Sequence, residues 1–395
     1  MNTGKTSRGI VMKLASAAAA AAVVGSALVG VTASSASTGN IVAQARALTT
    51  IMDQGKLMWS SQGTPTSPAN IVPYGSWRGP KTAPKPAKHK VVDIIPCISS
   101  SVACEEAALG AAAAAQKLGW TTHIYSGGFN SAGYQTAFAN VTPDHANAVI
   151  GIAVPTEQFQ PELAYANSHH ILTIALGDLT HTTGVRYDSY VDFRMPVMEA
   201  MLAYKMIAHL NGQVHALTVQ DNGFSVLENS QQAFDKVLSQ CSGCTSHLES
   251  WGLATVFGGG VQSAIDGWLV ANPNTNVLDL PYSIGESSAA AGVAQANLNQ
   301  HVYVLAKDGD AGGLAAIQAG QSYANAGTST AWSGWAAIDQ LIRGFAGKPY
   351  LNLQQQGLGV VLFNSDNTPA NGNPDSITVY PNYRHYYEKA WGLIK

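Results

Sequence analysis

The chain has 395 residues, of which 46% are hydrophobic and only 11% charged, so it can bury large cores and is too apolar to stay unfolded over most of its length. Its formal net charge is −3, and its lysines and arginines are scattered with no basic run, which excludes nucleic acid as a partner. At roughly 150 residues per domain, the length allows two domains plus extra segments.

The first 36 residues read as an export signal. Lys5, Arg8 and Lys13 precede an Ala/Val/Leu-rich core over 14–31, and small residues run up to a cleavage position after Ala36. The core is long enough to raise a transmembrane anchor as the rival, but alanine makes it weakly hydrophobic and no aromatic or basic belt closes its far end. No cysteine precedes Cys97, so the lipid-attachment cysteine of bacterial lipoproteins is missing. A soluble periplasmic protein, with no stable membrane insertion after cleavage, is the expectation. Residues 37–89 hold one helical stretch, 40–56, and then a Pro/Gly-rich segment, 63–88, which reads as an extended leader lying on the surface.

From 91 onward strand and helix patterns alternate. The apolar run 91–96 stops at a turn holding Cys97, Ser99, Ser100, Ser101 and Cys104, and the Ala-rich helix that follows ends at Gly119 before Trp120. This is the opening βαβ unit of an open parallel sheet, whose ligands sit beyond the carboxyl ends of the strands. Further strands are expected at 122–126, 148–154, 172–176, 214–220, 245–250, 277–281, 302–306 and 357–362. Helices are expected at 157–168, 195–210, 225–239, 261–272, 287–299, 312–318 and 331–346, with a loop over 364–376 and a closing helix over 382–394. The alternation predicts parallel sheets covered on both faces and joined by right-handed crossovers. So many strands exceed one compact lobe, so two similar lobes are expected.

Four cysteines in an exported chain invite pairing, Cys97 with Cys104 and Cys241 with Cys244, each bracing a loop. A structural zinc site is the rival, although the two pairs are far apart and no histidine stands at ligand spacing to them. Nothing in the chain makes a convincing nucleophile or metal constellation. Ser322 sits in a distant likeness of a nucleophile elbow but follows a helical stretch, His169 and His170 lack a glutamate at zinc-protease spacing, and Gly258 to Gly260 lack the Lys-Ser/Thr of a phosphate loop. No catalysis, cofactor or metal is expected.

The order of these segments resembles the sugar-type, ribose-binding-like periplasmic solute-binding proteins that feed ABC importers. The likeness runs over about residues 88–365. Its carriers are the opening from Cys97 to Trp120, the 148–154 strand before its helix, His170 to Ile174, Lys307-Asp308-Gly309, the 315–320 segment and the 342–347 segment. The paired cysteines resemble a cysteine-bearing branch of that family. The resemblance implies an α/β fold of two doubly wound parallel-sheet lobes joined by three hinge crossings, the type I periplasmic-binding-protein fold. It places the crossings near 190–194, 326–330 and 355–358, lobe one at 90–191 plus 329–356, and lobe two at 192–328 plus 357–395. It also implies a monomer that captures a sugar or other polar small molecule by lobe closure and hands it to a permease; a sensor presenting its state to a receptor kinase or chemoreceptor is the alternative.

Carried onto this sequence, the family's pocket falls on Ser99, Ser100, Ser101 and Cys104 after the first strand, with the usual sugar-stacking aromatics missing there. Asp308 matches a hydroxyl-accepting aspartate of the second lobe. Glu228 stands near a family arginine, Tyr282 and Ser283 near a family Asn/Asp pair, Asp178 after the fourth strand, and Thr328 beside the second crossing. Hydroxyls, carboxylates and aromatics without a fixed cation suit an uncharged polyhydroxy ligand or a cation better than an anion.

Overall fold

The computed structural model describes residues 38–178, 184–221, 223–252, 255–256, 258–370 and 381–395. The expected export signal lies outside the described residues. After helix α1 (Thr38–Met52) comes an antiparallel ribbon of β1 (Met58–Trp59) and β2 (Val72–Pro73), and then the alternating part of the chain.

Sheet one has five parallel strands: β3 (Val91–Pro96), β4 (Thr121–Ile124), β5 (Ala148–Ile152), β6 (Leu172–Leu176) and β7 (Ser189–Val191), in the order β4-β3-β5-β6-β7. Its intervening helices are α2 (Val102–Lys117), α3 (Ser131–Phe138) and α4 (Gln160–Ser168). The strand period of two sorts the side chains by face. Val92, Ile94 and Ile150 join the main core, while Ile95 and Val149 pack with Tyr134, Phe138 and Phe159 from the α3–α4 side.

Val191 leads into α5 (Met195–His209), and sheet two follows: β8 (His215–Asp221), α6 (Ser225–Leu238), β9 (Thr245–Trp251), α7 (Val261–Ala271), β10 (Val277–Asp279), α8 (Glu286–Ala296), β11 (Tyr303–Asp308), α9 (Ala311–Gln318) and β12 (Ala324–Gly327). Helix α10 (Thr330–Phe345) then returns to pack on α2. The two approach so closely that a Cβ on Gly110 would fall 2.5 Å from the Ala331 backbone, and one on Gly334 would fall 2.4 Å from Ala107 O. After α11 (Leu353–Gln356), β13 (Val361–Phe363) joins β12 as the single antiparallel strand of sheet two, whose order is β13-β12-β11-β10-β8-β9. Two parallel sheets with helices between their strands make this the expected α/β fold, with one antiparallel edge strand added.

The Pro/Gly-rich leader departs from the sequence expectation, because it does more than lie on the surface. Trp77 stacks on Tyr386 of the closing helix α12 (Tyr383–Ala390) at 4.7 Å and on Trp332 of α10 at 5.7 Å, while Tyr74 is buried and its hydroxyl donates to Gly357 O at 2.6 Å. Prolines hold the segment extended at little entropic cost, and its aromatics supply the buried area. Helix α1 packs on α5, fixed by Lys205 Nζ to Asp53 at 2.7 Å.

Candidate functional site

The carboxyl ends of both sheets open on one partly enclosed cleft, with a cavity volume of about 60 Å3. From sheet one, β3 leads to Cys97, Ser101, Ala103 and Cys104, β4 to Phe129, β5 to Ala153, β6 to Gly177, and β7 to Phe193 and Met195. From sheet two, β8 leads to Phe224 and Leu227, β10 to Tyr282 and Ile284, and β11 to Asp308. Phe129 and Phe224 meet edge to face with ring centroids 5.5 Å apart, and Gln158 Nε2 donates to Gly223 O at 3.4 Å, so loops of the two sheets touch across the cleft.

Among the described residues, Asp308 is the only charged one in the lining. It ends β11 with φ +92, a left-handed backbone that costs a non-glycine residue energy and persists where the surroundings enforce it. The enforcement is visible: Gly309 follows at φ +65, and a Cβ there would fall 2.7 Å from Gly327 Cα, so only glycine lets β11 turn against β12. Burial and the charge of Asp310 push the Asp308 carboxyl up to about 7, and Glu106 adds to the rise, while the Ser283 N–H (3.5 Å) and Lys307 pull it back. Asp310 itself accepts from Gly313 N at 2.8 Å and caps α9.

The other residues singled out from sequence take different positions. Ser101 lines the cleft and also caps α2, its Oγ accepting from Cys104 N at 3.5 Å. Cys104 is disulfide-bonded to Cys97 and presents that bridge as apolar wall; Cys241 is bonded to Cys244 in the turn before β9. Ser99 and Ser100 are exposed and are not part of the lining; the Ser99 N–H donates to Ser126 Oγ at 3.1 Å. Tyr282 lines the cleft while its hydroxyl donates to buried Asp221 Oδ2 at 2.8 Å, and burial keeps that phenol protonated. Ser283 stands behind the lining, donating to Lys307 O at 2.7 Å. Asp178 is buried and accepts from Thr156 N at 2.8 Å, bracing the loop after β5. Thr328 is buried beyond β12, its Oγ1 without a hydrogen-bond partner. Glu228 belongs to α6, but its side chain lies outside the described residues.

Sequence reasoning passed over Phe129, Phe224, Leu227, Ile284, Ala153 and Gly177 as lining residues. One signal was available: each lies just beyond a strand end, where the rule for parallel sheets puts ligand contacts. Aromatic rings, absent after β3, line the cleft after β4 and β8. No lysine or arginine lines the cleft among the described residues. Lys307, next to Asp308, points the other way, with its Nζ fully buried and 2.6 Å from Glu199.

No protein-family profile matches the chain, and no curated protein matches it in sequence. Solved structures do match. An ABC transporter solute-binding protein from Agrobacterium vitis, bound with α-D-tagatopyranose, is 18% identical, with a TM-score of 0.61 over 71% of this chain and 96% of its own. The solute-binding protein of a 5-methylthioribose transporter from Thermotoga lettingae, in complex with 5-methylthioribose, is 16% identical, with a TM-score of 0.61 over 79% of this chain and 99% of its own. A Caulobacter myo-inositol binding protein, bound to myo-inositol, is 16% identical, with a TM-score of 0.60 over 72% and 96%. Among the described residues no helix is long and apolar enough to cross a membrane. With its two parallel sheets, facing strand ends and paired cysteines, the chain has the type I fold of the sugar-type periplasmic solute-binding proteins that its sequence resembles.

Proposed function

We propose that the protein is an exported, non-enzymatic solute-binding protein that captures one small ligand between its two sheets and delivers it to the permease of an ABC importer. In this reading the lobes are residues 90–191 with 329–356 and residues 192–328 with 357–395, and Ser101, Cys104, Tyr282 and Asp308 touch the ligand. The observation that carries it is the cleft, where one carboxylate from sheet two faces a mostly apolar wall built from both sheets.

Asp308 accepts hydrogen bonds, so the ligand must offer donors, as hydroxyls or an amine. A carboxylate or phosphate ligand would meet no lysine or arginine there and, once Asp308 ionises, a like charge. Phe129, Phe193, Phe224, Met195, Leu227 and the Cys97–Cys104 bridge favour an apolar body, at about 25 cal/mol for each Å2 removed from water. A ligand with a donor edge and an apolar face satisfies both demands. Of the ligands held by the solved structures, 5-methylthioribose combines hydroxyls with a methylthio group and fits this lining better than the fully hydroxylated myo-inositol. Because such a ligand touches both sheets, its affinity for the closed form over the open form sets the closed population.

A thermal-shift panel of sugars, thio- and deoxy-sugars, polyols and amines tests the proposal. A ligand that raises the melting temperature should bind 10- to 100-fold more weakly to Asp308→Asn, as expected for a lost charged hydrogen bond worth about 1.5–3 kcal/mol. Unchanged affinity in that variant would overturn the placement of the pocket, and chemical conversion of the bound compound would overturn the non-enzymatic reading.

A further inference from the structure

We propose that Asp93, His123 and Asp144 form a binding site for one divalent transition-metal ion of the zinc type, on the α3–α4 face of sheet one and apart from the cleft. The register of β3 with β4 pairs Asp93 directly with His123, and the strand period puts Asp93 on the same face as Ile95. Asp144 arrives from the turn between α3 and β5. His123 Nδ1 lies 3.1 Å from Asp93 Oδ1 and 3.1 Å from Asp144 Oδ2, and one ligand atom from each of the three residues falls within 4.8 Å of the others.

The proton count is what points to a cation. An imidazole Nδ1 carries at most one hydrogen, so it can donate to only one of Asp93 Oδ1 and Asp144 Oδ2. Asp144 Oδ2 then faces the same nitrogen with the Tyr125 hydroxyl as its donor, at 2.5 Å. Asp93 is fully buried and its second oxygen, Oδ2, has no hydrogen-bond partner among the described residues. A buried carboxylate in an apolar face is costly unless it is paired or bound to a metal. Two carboxylates face one imidazole nitrogen here, so positive charge is short. Separations of 3.1 Å between ligand atoms are what a single ion produces when it holds oxygen and nitrogen at about 2.0–2.2 Å with inter-ligand angles near 90–110°. Three protein ligands of N and O type with a remaining position for water suit Zn2+ far better than Mg2+, which prefers oxygen and keeps its own waters. The side chains of His123 and Asp144, 35% and 21% exposed, leave a route from solvent.

Titration calorimetry of the full chain with Zn2+ is the test. We expect one site per chain, a melting temperature raised by Zn2+ and restored by a chelator, and no shift with Mg2+. Asp144→Asn and His123→Gln, both at partly exposed positions, should each weaken Zn2+ binding at least tenfold. His247→Gln, which removes the exposed His247–Glu249 pair, should leave it unchanged. The absence of saturable Zn2+ binding overturns the proposal, and so does binding that survives both site variants or is lost with His247→Gln.

Discussion

Lys307 and Asp308 are neighbours on β11, yet their surroundings treat buried charge in opposite ways. Lys307 Nζ is enclosed by Glu199 Oε1 at 2.6 Å, Asp279 at 3.2 and 3.4 Å and Gln231 Oε1 at 3.4 Å, all without solvent exposure. Two carboxyl groups share one ammonium there. Burial, with the charge of Asp279 behind it, pushes the Glu199 carboxyl well above the usual range, while the Lys307 ammonium pulls it back. Asp308 has no such cation. Asp310 and Glu106 oppose it, its one hydrogen bond among the described residues is the 3.5 Å one from Ser283, and its backbone is strained. The first charge belongs to folding. The second stands on a strand end in the cleft, where the proposed function has it wait for a ligand.

The largest effect should come from removing the resident cation. Lys307→Met should cost about 3–5 kcal/mol by urea unfolding, because an unpaired buried carboxylate remains, whereas Glu199→Gln, which mimics the protonated acid, should stay within about 1 kcal/mol. Equal losses in the two variants would mean that the cluster does not hold its charges as described. Asp308→Asn should behave in the opposite sense. The folded chain keeps the Asp308 proton up to about 7 while the unfolded chain loses it near 4, so the folded form binds more protons between those values. Stability that is present below pH 4 is therefore lost as pH rises through 7. The ligand-free protein should melt lower at pH 8 than at pH 5.5, and Asp308→Asn should narrow that gap, with Asp310 and Glu286, also raised by burial, leaving a residue of it. An unaltered gap in the variant would contradict the assignment.

The same two residues show what could be read from the chain. Asp308 was singled out through the resemblance, which matches it to an aspartate after a strand of the second lobe, and the strand-end rule agrees with that position. The strand Leu172–Leu176 was legible in full from its apolar run. The strands Ser189–Val191 and Ala324–Gly327 are too short to show a period, and pairing alone, with β6 for the first and with β11 and β13 for the second, makes them strands. Phe129 and Phe224 sit in turns 95 positions apart, and only the approach of the two sheets makes them neighbours. Trp77 looked like part of a surface leader because its partners, Trp332 and Tyr386, lie more than 250 residues further along the chain. Asp93 was hidden inside an apolar run, with Asp144 supplied by a distant turn.

The two disulfides extend the contrast between structure and site at smaller cost. They close loops of only 7 and 3 residues in sequence separation, so chain entropy gives each roughly 2 kcal/mol. Replacing either pair by serines should lower stability by a similar amount, but only Cys97→Ser with Cys104→Ser removes cleft wall and should weaken ligand binding. Equal effects on affinity would show that the bridge serves the fold alone. The smallest effect belongs to the serine turn beside it. Ser101→Ala removes the α2 cap and should cost about 1 kcal/mol, whereas Ser99→Ala and Ser100→Ala, both exposed, should stay within about 0.5 kcal/mol. Affinity then separates the two parts Ser101 can play. If Ser101→Ala weakens ligand binding while Ser99→Ala and Ser100→Ala do not, its hydroxyl reaches the ligand as well as the helix; if all three bind alike, the cap is its whole contribution, and Asp308 carries the polar recognition from the other sheet.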